Sequence, residues 1–161
     1  MLALATLLTL AIGAAAQAAP GAEAGVDALS IETCLGEPSM AGRDPRECGE
    51  RVLRQCLADV NDASRAAAGA IACEKRRAAA WILLGRQAFR RIEAKLGDAD
   101  RHLLRTSEAQ FELDLRDLCA ATRMLAGGDP DLAAASCASD LVAERTLTLL
   151  RLAAGSGAPS R

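Results

Sequence analysis

Apolar residues recur at helical spacing in four stretches of this chain. Over residues 44–60, Cys48, Val52, Cys56 and Val60 share one face, with Leu53 and Leu57 beside them. Asp44 is placed to cap this helix, Pro45 suits its first turn, and Glu47 follows three residues after the cap. Asn61, Asp62 and Ser64 are loop-forming and end it. The second stretch, residues 66–96, carries Ala78, Ile82, Gly85, Phe89, Ile92 and Leu96 on one stripe. Trp81, Leu84 and Ala88 widen that stripe. Gly97 stops this helix, and Asp98 is a capping residue for the next. The third stretch, residues 99–125, aligns Leu104, Phe111, Leu115, Leu118 and Leu125. Gly127, Gly128, Asp129 and Pro130 then break the pattern. Asp129 is the expected cap of a fourth helix with Pro130 in its first turn, carrying Leu132, Cys137, Leu141, Thr148 and Leu152.

Val and Ile are scarce, which disfavours strands. Ala, Leu, Arg and Glu dominate, which favours helix. The pattern predicts an all-α fold, a bundle of about four helices in antiparallel hairpins. It forms one domain over residues 34–153, with a polar tail at 154–161 and no internal repeat. Residues 19–33 are small and polar and read as a flexible arm.

The first residues follow a different rule. Residues 1–22 contain no charge. Leu2, Leu4, Leu7, Leu8, Leu10 and Ile12 form a short apolar run, and the small residues Ala14, Ala15, Ala16 and Ala18 follow it. That is an h-region and an A-x-A cleavage site, predicting a signal peptide at residues 1–18 cut after Ala18, with an uncleaved membrane anchor as the alternative at the short edge of a bilayer span. A cut after Ala19 would put Pro20 next to the scissile bond. A basic n-region is missing, so the start of translation is expected a few residues upstream. No later segment is apolar for long enough to span a bilayer, so no stable membrane span is expected after cleavage. The compartment is then the periplasm or the outside of the cell, where disulfides persist.

Composition narrows the classes. A chain of 161 residues that is 51% hydrophobic is not disordered. A net charge of −2 leaves no basic excess for a nucleic-acid binder. Aromatic residues make up only 2%, so large rings contribute little buried area and cross-links matter more.

Six Cys are present. Hairpin symmetry ranks their pairings. Cys119 and Cys137 are equidistant from Gly128, in the predicted turn between the last two helices. Cys56 and Cys73 are equidistant from the bond between Ser64 and Arg65, in the turn before the second helix. Cys34 and Cys48 remain and would close the N-terminal segment. The swapped set, Cys34–Cys56 with Cys48–Cys73, stays open from the sequence. Cys48 and Cys56 cannot bond each other: eight helical residues rise roughly 12 Å, beyond the ~7 Å reach of a disulfide between Cα atoms. No C-x-x-C occurs and His102 is far from every Cys, so neither a metal nor a cofactor is expected.

Catalytic residues are not expected either. His102 sits between Arg101 and Arg105 without an orienting partner and reads as a solvated helix residue. Glu108, Glu112 and Asp114 read as solvated pairs on an Arg-rich helix. The run Glu74-Lys75-Arg76-Arg77 reads as a solvated face. Trp81 and Phe111 read as core. No nucleophile elbow, phosphate loop or zinc-protease motif is present.

A resemblance adds to this reading. The stretch LLRTSEAQFELDLRDLCAA, residues 103–121, resembles the L-R-x-x-Q-x-x-W-x-x-x-R-D-x-x-C pattern of the LprI-type lysozyme inhibitor family, small exported Cys-rich helical domains of bacteria. Leu104, Arg105, Phe111, Arg116, Asp117 and Cys119 carry it. Gly127, Gly128, Cys137 and Arg145 are similar to the segment that follows in the family. In the first half, Cys34, Cys48, Cys56 and Cys73-Glu74 follow a spacing seen in one branch. WILLGRQAF, residues 81–89, stands in place of W-D-x-x-L-N-x-x-Y. There Ile82, Gly85, Arg86 and Phe89 replace Asp, Leu, Asn and Tyr. Phe111 replaces the usual Trp, Glu108 the usual Gln, and the Arg-Asp pair lies one residue closer to Cys119.

The resemblance implies a non-enzymatic exported protein that binds and blocks a cell-wall lytic enzyme such as lysozyme. Candidate contacts are the Asn61–Ser64 turn and the turn at 127–131, where Asp129 and Asp131 carry carboxylates. The alternative is a structural or interaction module of the bacterial envelope. Its contact face would be the Arg-rich second helix, with Arg76, Arg77, Arg86, Arg90 and Arg91 offered to an acidic envelope protein.

Overall fold

A computed structural model of the chain describes residues 20–60 and 66–155. The expected signal peptide, the Asn61–Ser64 turn and the last residues of the polar tail lie outside the described residues. Five α-helices follow in order: α1 (Pro20–Leu35), α2 (Glu47–Ala58), α3 (Ala66–Glu93), α4 (Asp98–Leu125) and α5 (Pro130–Gly155). A short 3-10 turn, Pro38–Met40, lies between α1 and α2. The all-α class holds, with one helix more than the pattern predicted.

The added helix is α1. Residues 20–33, expected as a flexible arm, are helical. Ala24, Asp27, Ala28, Ile31 and Cys34 are buried at spacings of three and four. That stripe packs on α3 and α2. Asp27 sits on it because Arg76 of α3 meets its carboxylate with two bonds, Nε at 2.6 Å and Nη2 at 2.9 Å. A paired carboxylate can be buried where a lone one could not.

The start of α2 also differs. Asp44 does not begin the helix; it accepts the backbone N–H of Arg46 at 2.9 Å and shapes the turn before Glu47. The segment 36–46 is strapped down by its own charges. Arg51 donates to both carboxylate oxygens of Glu37 at 3.0 and 3.1 Å. Met40 is buried beneath.

The core forms where α3 and α5 lie together, with α1 and α2 closing over them. Trp81, Ile31 and Leu84 are its largest fully buried side chains, packed with Val52, Ala80, Val142, Ala143 and Leu147. Two close approaches make this packing possible. Gly49 of α2 lies against the Trp81 ring, and a Cβ there would overlap the indole. Gly85 of α3 lies against Thr146, where a Cβ would stand 2.7 Å from Oγ1. The freed space lets the Thr146 hydroxyl donate to the Trp81 carbonyl at 2.9 Å, tying α5 to α3.

All six cysteines are cross-linked: Cys34–Cys48, Cys56–Cys73 and Cys119–Cys137, with Cα separations of 5.7, 5.5 and 5.5 Å. This is the set favoured by hairpin symmetry. The staples join α1 to α2, α2 to α3, and α4 to α5. No staple joins α3 to α4; both pack on α5, and they meet each other through side chains near their connecting turn, where Arg105 donates to Glu93 at 2.6 Å. A groove therefore runs between them with α5 as its floor. No helix among the described residues is long and apolar enough to cross a membrane.

Candidate functional site

Two features of the α3–α4–α5 side concentrate exposed chemistry: the turn joining α4 to α5, and the groove between α3 and α4. The turn holds the sequence candidates Asp129 and Asp131. Asp129 accepts the backbone N–H groups of Asp131 and Leu132 with one oxygen, at 2.9 and 3.0 Å, and so caps α5 as expected. Asp131 pairs with Arg123 of α4 at 2.8 Å. Both carboxylates therefore have partners within the turn and hold its shape. The Cys119–Cys137 bond braces the two helices behind it. Between these braces Met124 and Leu125 stand 80% and 85% exposed. Sequence periodicity placed Leu125 and Leu118 on the packed stripe. Both are exposed, because that stripe continues from Leu115 to Cys119 and α4 has only α5 beneath it.

In the groove, a pocket of about 160 Å³ is lined by Ile82, Gly85 and Arg86 of α3 and by Glu108, Phe111 and Glu112 of α4. Val142, Arg145 and Thr146 of α5 form its base. Arg145 is fixed there from three directions. Its Nε and Nη2 donate to one oxygen of Glu108 at 3.1 and 2.9 Å. Nη2 also donates to the Ser107 hydroxyl at 3.2 Å. The guanidinium lies 5.7 Å from the centre of the Phe111 ring, within cation–π range.

Five positions where the chain departs from the resembled pattern, namely 82, 85, 86, 108 and 111, line this one pocket. Phe89 is the other substituted position, and it packs instead in the small cluster around Ile92 and Leu149. Glu108 brings a carboxylate to Arg145. No local spacing links the three segments, so sequence reading named these residues without bringing them together.

Trp81 is buried at 1% exposure, as expected, and Phe111 is partly buried in the pocket wall. His102 is exposed on α4. Asp114 accepts from Gln110 at 2.8 Å on the outer face of α4.

The run at 74–77 is not a solvated face. Glu74 and Arg77 are buried, because α5 and α2 cover that side of α3. Arg77 donates to Glu74 at 3.0 Å and to the Ser139 hydroxyl at 2.7 Å through Nε. It reaches Asp140 at 2.7 Å and also meets Glu50. With Arg77 buried and Arg76 held by Asp27, the five arginines proposed as one face do not form one.

Arg76, through its bond to Asp27, has its pKa pushed above the ordinary arginine value. Among the described residues no group of His, Cys, Asp and Glu is arranged to hold a metal ion. No protein-family model, curated protein or solved structure matches the chain.

Proposed function

We propose that this protein is exported and acts as a non-catalytic binding protein that blocks a cell-wall lytic enzyme of the lysozyme type, with the α4–α5 turn as its contact. The observation that carries this reading is the exposure of Met124 and Leu125, 80% and 85%, at the end of α4 where it enters a turn held by a disulfide, a cap and an ion pair. A contact already in its binding shape loses little conformational entropy on docking. Flexible apolar side chains such as Met adapt to the surface they meet.

Three supports come from elsewhere. Three disulfides in a chain of this size suit an oxidising compartment. The sequence pI near 5.5 has the sign that steers a protein toward a cationic enzyme. The resemblance to LprI-type inhibitors points the same way. Asp129 and Asp131, the contacts expected from the sequence, lie on the same turn and also hold its shape, and Met124 and Leu125 add apolar anchors beside them.

The test is a titration of the oxidised chain from Ala19 against several lysozymes on cell-wall substrate. Dose-dependent inhibition that disappears on reduction is expected. An absence of inhibition at micromolar concentration, with one dominant non-lysozyme partner captured from envelope extract, would replace this reading with the envelope interaction module.

A further inference from the structure

The groove pocket carries charges of both signs on facing walls, and several have no partner. Arg86 of α3 and Glu112 of α4 both line it, and neither is paired among the described residues. Arg145 commits Nε and Nη2 to Glu108 and Ser107, which leaves Nη1 without a partner. Its guanidinium is nevertheless held in place, with the side chain 19% exposed. Between the charges the lining is apolar: Ile82, Leu115, Val142 and Leu149.

This combination selects by charge. A plain anion would meet the carboxylates of Glu108 and Glu112. A plain cation would meet Arg86 and Arg145. An uncharged apolar group would pair with none of the free charges and would cover the open Nη1 of Arg145 without replacing its water. A molecule with one carboxylate, one ammonium and a small apolar substituent satisfies every wall.

We propose that this pocket binds a small zwitterion of the α-amino-acid type. Its carboxylate is held by Arg86 and the free Nη1 of Arg145, its ammonium by Glu112, and its substituent rests on the apolar lining. A volume of about 160 Å³ admits only a small substituent such as a methyl or isopropyl group. Free amino acids and the termini of very short peptides share this chemistry.

The experiment is a calorimetric titration of the oxidised chain with alanine and with alanyl-alanine, and with N-acetylalanine and alaninamide, which keep one charge each. Saturable binding of at least one zwitterion is expected, at micromolar to millimolar affinity for so few atoms. The single-charge derivatives should bind at least about tenfold more weakly. Arg86→Gln and Glu112→Gln should each weaken zwitterion binding by a similar factor, and both side chains are exposed, so the fold should persist with unchanged melting temperature. The tighter of alanine and alanyl-alanine identifies the source.

Binding of neither zwitterion at about 10 mM would overturn the proposal. Equal affinity for N-acetylalanine or alaninamide would do the same, as would indifference to both substitutions. The inhibitor reading is separable: Met124→Asp with Leu125→Asp should leave zwitterion binding untouched.

Discussion

α5 has two sides, and they are built differently. On one side α1, α2 and α3 close around Trp81 and Ile31, two disulfides tie the helices in series, and Arg77 is buried among Glu50, Glu74, Ser139 and Asp140. On the other side α4 lies alone. Of its 28 residues only Cys119 is buried. Its ion pairs to the neighbouring helices, Arg145 with Glu108, Arg123 with Asp131 and Arg105 with Glu93, are all partly open to solvent. The covered side holds most of the buried core, and the open side exposes the tip at Met124 and Leu125 and the groove beside α3.

This contrast can be broken most strongly at Arg77. Arg77→Ala would leave Glu74 buried without its cation, and the expected loss is about 3–5 kcal/mol. Arg145→Ala should cost less, about 1–2 kcal/mol, because the pair with Glu108 is only partly buried and its partner keeps access to water. Urea denaturation of both variants checks the order; equal losses would remove the asymmetry.

Next in size is the staple of α4. Changing Cys119 and Cys137 together to Ala should cost about 2–4 kcal/mol for a loop of this length. Hydrogen exchange should show the loss as faster opening of α4, with α3 amides unchanged. Uniform acceleration across all helices would mean that α4 is part of the same cooperative core.

Gly49→Ala sharpens the other side of the comparison. The added methyl meets the Trp81 indole, whose neighbours leave it no room, and overpacking should cost about 1–3 kcal/mol. Gly127→Ala, in open space, is the matched control. A neutral Gly49→Ala would show the α2–α3 contact to be slack.

The smallest effect concerns pH. Hydrogen bonds from Arg51, then Ser39, hold the Glu37 carboxyl below its usual range, and Arg46 does the same to Asp44. A carboxylate with a lowered folded pKa stabilises the fold above the ordinary carboxylate range and loses that contribution as pH falls through its folded value. Arg51→Gln should therefore melt below the parent chain at pH ~7, and the gap should close below pH ~4. A gap that persists in acid would point to packing by Arg51 rather than its charge.

Much of this architecture can be read from residues. Gly97, the Gly127-Gly128 pair and Pro130 mark helix ends to within a few residues, because breakers act locally. Hairpin geometry ranks the observed cysteine pairing first but leaves the swapped set of the first half open. α1 was missed because its buried stripe is mostly Ala24, Asp27 and Ala28, which have almost no hydrophobic contrast. Asp27 looks solvated until Arg76 is set beside it, and the same holds for Glu74 with Arg77. On α4, periodicity identified apolar positions but not which of them has a neighbour, so Leu118 and Leu125 were assigned to the core. The groove pocket depends on three distant segments meeting on α5, which no local pattern encodes.

The most direct test of the functional account compares lysozyme inhibition by the parent chain with that by Met124→Asp combined with Leu125→Asp. Both positions are exposed, so the fold should persist with a melting temperature lowered only slightly by the new carboxylates at the C-terminal end of α4. The account requires at least about a hundredfold rise in the concentration needed to inhibit, the size expected when two contact anchors are lost. Full inhibition by the double variant would contradict it and move the contact away from the α4–α5 turn.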